Sequence, residues 1–188
     1  MNIFPFHKCP MQSALELDDV RKNKMILESA QMLSTAIRLL TGTHFKVRSN
    51  SGKTMVSHWV LPDEDWELAI YKTNHINHPC AIWARESRGN FKWLLSWMSH
   101  LYLQKVGPHK SAELIPYFDE YAFVGKFPSE KLTPFVNCAR NEGRGVDYSD
   151  VEDVHEAYQR YMSDRWKETN ITLSWKHGVE PEWRNLYG

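Results

Sequence analysis

The chain has 188 residues, 42% hydrophobic and 24% charged, the make-up of one ordinary globular domain long enough to bury a core. Lys plus Arg and Asp plus Glu number 23 each, so the formal net charge is zero; this argues against strong non-specific nucleic-acid binding and leaves only a local basic patch open. Three scattered cysteines (Cys9, Cys80, Cys138) rule out a disulfide framework and point to a reducing compartment; without an apolar run of membrane-spanning length or a signal-peptide layout, the expected setting is cytoplasmic, with no membrane partner.

In chain order, residues 2–6 (Asn-Ile-Phe-Pro-Phe) read as a strand or extended arm against the core, and 11–15 as a helical turn. A long helix follows. Asp18 or Asp19 can cap it, and Gly42 is the stop signal; from Asp19 to Leu40 it would run roughly 33 Å at about 1.5 Å per residue. Met25, Ile26, Ala30, Leu33, Ile37 and Leu40 cover one broad face, and Met32, Ala36 and Leu39 widen it, whereas Val20 and Leu27 lie on the far side. The polar face shrinks to a seam of Arg21, Lys24, Glu28, Gln31 and Thr35. A helix this apolar is buried, and charges on it need partners. The seam is therefore either a structural ion-pair stripe, with Lys24 and Glu28 as i, i+4 neighbours, or the wall of a polar cleft.

Residues 43–70 read as a β-hairpin insertion, with alternating strands on either side of Asn50-Ser51-Gly52-Lys53; an exposed hairpin can have a binding role of its own. Residues 61–65 are a turn, and 66–71 fit helix or strand. Pro79 after His78 marks the start of a helix carrying Trp83, Ala84, Arg85 and Glu86 and meeting Gly89. Asn90 is expected to cap a second long buried helix, Phe91 to Gln104, rich in Trp and Leu. Residues 109–116 form a short helix or turn, and the Pro- and Gly-punctuated 116–147 read as a long surface loop. A C-terminal helix over 149–169 shows Val151, Val154, Ala157, Tyr158, Tyr161 and Trp166 as its inner stripe, and the Trp175 and Trp183 tail is expected to fold back on the body. The fold class is thus mainly α: two long buried helices, a C-terminal helix and a small hairpin in a single domain spanning 1–188.

His75, His78 and Cys80 cluster, but His-x-x-His-x-Cys without a second pair is too little for a zinc site, so no metal is expected; His78 reads as a hydrogen-bonding residue at its helix start. Nucleophile-elbow, Walker and dinucleotide-binding motifs are absent, and no cofactor is expected. Arg85 can hold a phosphate bidentately or pair with Glu28.

The segments Leu17-Asp18-Asp19 to Gln31 and Asn77-His78-Pro79 to Ser87 together resemble the phage endonuclease V family of pyrimidine-dimer DNA glycosylases. In that family a catalytic Glu lies eleven residues after the Leu of a Leu-x-Asp helix start, the spacing of Leu17 and Glu28 here. The later Leu- and aromatic-rich helix of the family is similar to 91–104, and the likeness spans roughly the first 110 residues. The resemblance implies a compact helical fold, excision of a flipped base from duplex DNA, a Glu that stabilises developing charge, arginines on phosphates, and attack at the sugar by an N-terminal α-amine. By position Glu28 is the catalytic carboxylate, with Arg21 and Lys24 beside it. The family exposes a small residue by removing the initiator Met; Asn2 is bulkier, and a hydrolytic route with Glu28 orienting water needs no amine.

The expected function is excision of a damaged or modified pyrimidine base. Glu28, Lys24 and Arg21 form the catalytic group; Gln31, His78, Arg85, Glu86, Asn90 and Lys110 form the substrate- and phosphate-binding group. Two competing readings are an enzyme acting on free or modified nucleotides and a non-enzymatic nucleic-acid- or protein-binding factor that uses the aromatic hairpin.

Overall fold

The computed structural model describes residues 2–187. Its axis is the long helix α2 (Asp19–Thr41), preceded by the short α1 (Pro10–Leu15). Asp18 caps α2 by accepting from the Arg21 N–H. Fully buried, it also accepts from the Arg21 guanidinium and the Trp166 indole N–H, both at 2.8 Å, which ties the start of α2 to the last long helix. Every α2 position from Met32 to Arg38 is buried, so that stretch of the helix has no solvent face; Val20 and Leu27 are exposed, as their far-side position implies. Gly42 does end α2, but with an extended backbone (φ −75°) rather than a left-handed one. Glycine is needed there for space: a Cβ would lie 2.6 Å from the Arg38 carbonyl oxygen and 3.2 Å from the Trp59 Cβ.

The hairpin follows as β1 (Thr43–Arg48) and β2 (Met55–Val60), antiparallel, with His44 opposite Trp59 and Lys46 opposite Ser57. The ambiguous segment after it is helical: α3 (Glu64–Ala69) is capped by the Asp63 carboxylate. Arg38 holds this corner together. Its guanidinium is fully buried, pairs with Glu67 and donates to the carbonyls of Trp59 (3.0 Å), Tyr71 (2.6 Å) and Ile70 (3.1 Å).

Next come α4 (Pro79–Glu86) and α5 (Arg88–Leu103). α5 crosses α2 and also packs on α1, and the core lies between them: Trp83, Trp97, Phe91, Ile26 and Met32 are fully buried. The N-cap of α5 is Ser87, three residues earlier than expected. Asn90 is buried inside the helix; its amide donates to the Trp83 carbonyl and Thr133 Oγ1, both at 2.7 Å, and its Oδ1 accepts from the Thr133 N–H. Gly89 is no stop either. It sits in the first turn of α5, where a Cβ would lie 2.3 Å from the Leu132 backbone nitrogen.

The expected loop over 116–147 is only partly a loop. It contains most of α6 (Ile115–Val124), entered through a 3₁₀ turn at Lys110–Leu114. Pro116 does not prevent this helix, because its first turn needs no N–H donor. An extended stretch follows, then the two-residue strands β3 (Arg140–Asn141) and β4 (Val146–Asp147). The C-terminal helix is shorter than expected, α7 (Val154–Lys167), capped by Asp153; it buries Ala157, Tyr158, Tyr161, Met162 and Trp166. The tail does fold back: Trp183 stacks on Trp166 with ring centroids 5.1 Å apart, and the Trp175 and Trp183 indoles donate to the Glu16 carbonyl and carboxylate. The N-terminal arm is extended, with Ile3, Phe4 and Phe6 buried, Phe4 against Tyr158 and Tyr161 and Phe6 against Trp166 and Trp183. The architecture is mainly α, and no helix among the described residues is long and apolar enough to cross a membrane.

Candidate active site

Five stretches far apart in sequence surround a cavity of about 380 Å³. The first half of α2 contributes Arg21, Lys24, Met25 and Glu28; the N-terminal arm contributes Asn2 and Phe4. His78 and Pro79 enter from the start of α4, Cys138 and Arg140 from the stretch before and within β3, and Tyr161 and Arg165 from α7.

Among the described residues Glu28 is the only carboxylate on these walls, which it shares with the cationic side chains of Arg21, Lys24, Arg140 and Arg165. Its Oε2 accepts the Asn2 backbone N–H at 3.0 Å, and its Oε1 lies 3.6 Å from the Lys24 ammonium. Lys24 is largely exposed, so this i, i+4 pair is weak and leaves the ammonium mobile at the rim. The two readings of the polar seam are thus both true of part of it. Arg21 is held by Asp18, and Arg165 lies over the Tyr161 ring at 5.6 Å. The Nε atoms of both arginines are buried without a hydrogen-bond partner among the described residues.

The Asn2 side chain is clamped. Its Oδ1 accepts from the Tyr158 hydroxyl (3.1 Å), the Cys80 thiol (3.4 Å) and the Ile3 N–H (2.9 Å), and its amide reaches the Cys138 carbonyl at 3.5 Å. The Cys80 thiol also points at the Cys138 sulfur, 3.9 Å away. That hydrogen bond, more than any other influence, pulls the Cys138 thiol down to about pH 7, while the same contact and burial push Cys80 up. Cys138 is half-buried on the cavity wall; Cys80 is sealed behind it.

His78 caps α4: its Nδ1 accepts the Cys80 N–H at 3.2 Å, which places the ring proton on Nε2. Burial, followed by neighbouring positive charge including His75, lowers its pKa, against the pull of Glu28. A neutral His78 is therefore the resting form, and its Nε2–H is a donor that stays uncharged near pH 7.

Of the nine residues singled out from sequence, Glu28, Lys24, Arg21 and His78 meet at this cavity. The others do not line it. Arg85 donates to the carbonyls of Ile76 (2.9 Å) and Ala81 (3.0 Å), so it does not face Glu28. Burial lowers the Arg85 pKa, opposed by Glu86. Glu86 is exposed, Asn90 is the buried structural amide described above, Lys110 is exposed on its 3₁₀ turn, and Gln31 is half-buried beyond the cavity. Thr35 of the seam exchanges hydrogen bonds with the Asn74 backbone.

Asn2, Cys138, Arg140, Tyr161 and Arg165 were not singled out as site residues. Tyr161 was legible as an inward α7 residue, and Arg165 one turn on shares its face. Arg140 had no signal, because the extended stretch that delivers it has no periodicity. The α-amine that the family resemblance makes a nucleophile is one exposed by removal of the initiator Met, which here would be that of Asn2; Met1 itself lies outside the described residues. No family model matches the chain, and no curated protein or solved structure matches it either.

Proposed function

We propose that the chain is a DNA N-glycosylase that excises a damaged or modified pyrimidine, with Glu28 as its catalytic carboxylate. The observation that carries this reading is one half-sheltered carboxylate ringed by four cationic side chains in a formally neutral protein. A glycosyl bond breaks through a transition state with positive charge on the sugar, and a carboxylate on that side stabilises it and orients the attacking water. Phosphates flanking the sugar need cationic donors, and the Arg21, Lys24, Arg140 and Arg165 side chains on the cavity walls supply them. The cavity volume falls within the range of ligand pockets, about 300–1,000 Å³, as a nucleotide flipped out of the stack requires. His78 would donate to a base or sugar oxygen through Nε2–H.

Among the described residues, the Asn2 backbone N–H donates to Glu28 Oε2 at 3.0 Å. We take water as the nucleophile: its oxygen bonds to the sugar C1′, its proton passes toward Glu28, and the base leaves with the bonding pair.

Mass spectrometry of bases released from normal, damaged and modified duplexes tests the reading. Release of one pyrimidine class, leaving abasic sites and lost in Glu28→Gln, supports it. Release from mononucleotides but not from duplex replaces it with a nucleotide hydrolase. No release from any substrate, with DNA binding intact in Glu28→Gln, replaces it with a binding factor. A covalent adduct trapped by borohydride overturns water as the nucleophile in favour of an amine.

A further inference from the structure

The hairpin lies beside this cavity and has no assigned role. Residues 43–62 contain Lys46, Arg48, Lys53, His44 and His58 and no Asp or Glu, although the chain as a whole is neutral. All six residues of β1 are exposed. Two strands alone bury too little to need such exposure, so these side chains are displayed rather than packed.

The pairing register sorts the hairpin into two faces. Directly paired residues share a face, and alternate residues along each strand do too. Thus His44, Lys46 and Arg48 lie on one face with Trp59, Ser57 and Met55. The other face carries Thr43, Phe45 and Val47 with Val60, His58 and Val56. The strand cations Lys46 and Arg48 are therefore on one side, next to a His44–Trp59 ring pair with centroids 4.5 Å apart, while His58 lies on the other.

That side opens onto a groove. Ser57 and Trp59 form one wall, and residues 73–78 form the other, including Asn74, Asn77 and His78. His78 also lines the Glu28 cavity, so groove and cavity meet at one residue. His75, in the groove, has a left-handed backbone (φ 47°), a conformation uncommon outside glycine. Of the next acidic residues in sequence, Asp63, Glu64 and Asp65, the two aspartates line a separate groove with Trp66 and Tyr117, and none of the three lines this one.

We infer that the Lys46–Arg48 face of the hairpin is a DNA-backbone clamp, holding phosphates of the strand that flanks the nucleotide delivered past His78 to Glu28. The charge is complementary, the strand spacing suits an extended polyanion, and the surface runs continuously into the site. The identity of the occupant rests on the glycosylase reading, but its binding can be measured without any base being released.

The test is fluorescence anisotropy of a labelled duplex against the full chain across a salt series. The variants are Lys46→Gln/Arg48→Gln and, separately, Glu28→Gln. Both hairpin positions are exposed, so the double variant leaves the core untouched; unchanged circular dichroism and Tm establish that it folds. Each lost phosphate contact lowers the slope of log K against log salt by about 0.9, so the double variant should lose a slope of about two. It should also bind at least tenfold more weakly at low salt, while Glu28→Gln keeps the wild-type slope. Equal slope and affinity in the double variant and wild type overturn the clamp, as does a wild-type chain that binds no duplex. Weakened binding in the double variant, with no base released from any DNA by the wild type, keeps the clamp and removes the glycosylase. Base release with unchanged KM in the double variant does the reverse.

Discussion

The backbone N–H of Asn2 donates to the Glu28 carboxylate across 26 positions of sequence, at 3.0 Å. This contact pins the start of the chain over the middle of α2 and orients one carboxylate oxygen, leaving Oε1 near Lys24 at the rim. Glu28→Gln retains an oxygen acceptor for Asn2 and should therefore fold normally. On the proposed chemistry it lowers base release by about a hundredfold to ten-thousandfold, the range for losing a general acid–base group. Single-turnover abasic-site formation, compared with the Tm of the same variant, measures both effects; loss of rate together with a collapsed Tm would make Glu28 structural.

His78 links acid to local unfolding of the site. Its neutral Nδ1 accepts the Cys80 N–H, and its pKa is lowered in the folded state, first by burial. The unfolded chain thus binds the proton more readily, so stability is highest above the ordinary His value and falls as pH drops below it. Protonation also removes the acceptor that caps α4. His78→Asn keeps a capping oxygen without titrating, and should flatten the pH dependence of Tm between about 7 and 5 relative to wild type. An unchanged profile would show that His78 protonation does not matter to the fold.

The thiol pair has an asymmetric signature. Cys138, held at about pH 7 chiefly by the Cys80 thiol, should be alkylated by iodoacetamide with a midpoint near neutrality, whereas buried Cys80 resists. Cys80→Ala removes the donor, and the Cys138 midpoint should rise toward the ordinary thiol value of about 8.5. Peptide mass spectrometry separates Cys138 from the exposed Cys9. A midpoint unmoved in Cys80→Ala would assign the shift to other neighbours.

Glu67 compensates a fully buried guanidinium. Burial opposes its ionisation, but hydrogen bonds from the Leu61 N–H, Lys72 and Arg38 hold its pKa at about 2. A depressed carboxylate pKa contributes stability above its ordinary value of 4.5, which is lost as pH falls through about 2. Glu67→Ala leaves Arg38 buried with carbonyl partners only and should cost about 3–5 kcal/mol at neutral pH. Urea unfolding at pH 7 and pH 3 tests this: the gap between variant and wild type should narrow at the lower pH.

Gly89 admits the backbone that carries two site residues. Any Cβ there collides with Leu132, the start of the stretch leading to Cys138 and Arg140. Gly89→Ala should cost about 1–3 kcal/mol, measured as a lower urea midpoint, and should reduce base release by displacing Arg140.

Several elements were legible in the sequence because their causes are local. The apolar breadth of α2, the Asp18 cap and the halt at Gly42 all follow from residues within a few turns of one another. The hairpin followed from alternation around a turn, and the inward stripe of α7 from its helical period. Where two local signals competed, tertiary contact chose. Ser87 and Asn90 both suit an N-cap, and only the approach of Thr133 makes Asn90 an interior amide. α6 was hidden because its Pro116 reads as a breaker until it is seen to occupy the first turn.

The site divides the same way. Glu28, Lys24 and Arg21 could be named because they recur along one helix face, and His78 because it precedes a helix-starting proline. Arg85 was equally plausible by type and position, yet its guanidinium turns to the carbonyls of Ile76 and Ala81. Asn2, Cys138, Arg140 and Arg165 reach the cavity from stretches separated by up to 163 positions, and no periodic pattern encodes such a meeting. The sequence by itself determined which helices form and which faces they bury, because propensity, capping and period act over one or two turns. Only the tertiary structure decided which charges share a cavity, because that depends on how the arm, α4, β3 and α7 pack around α2.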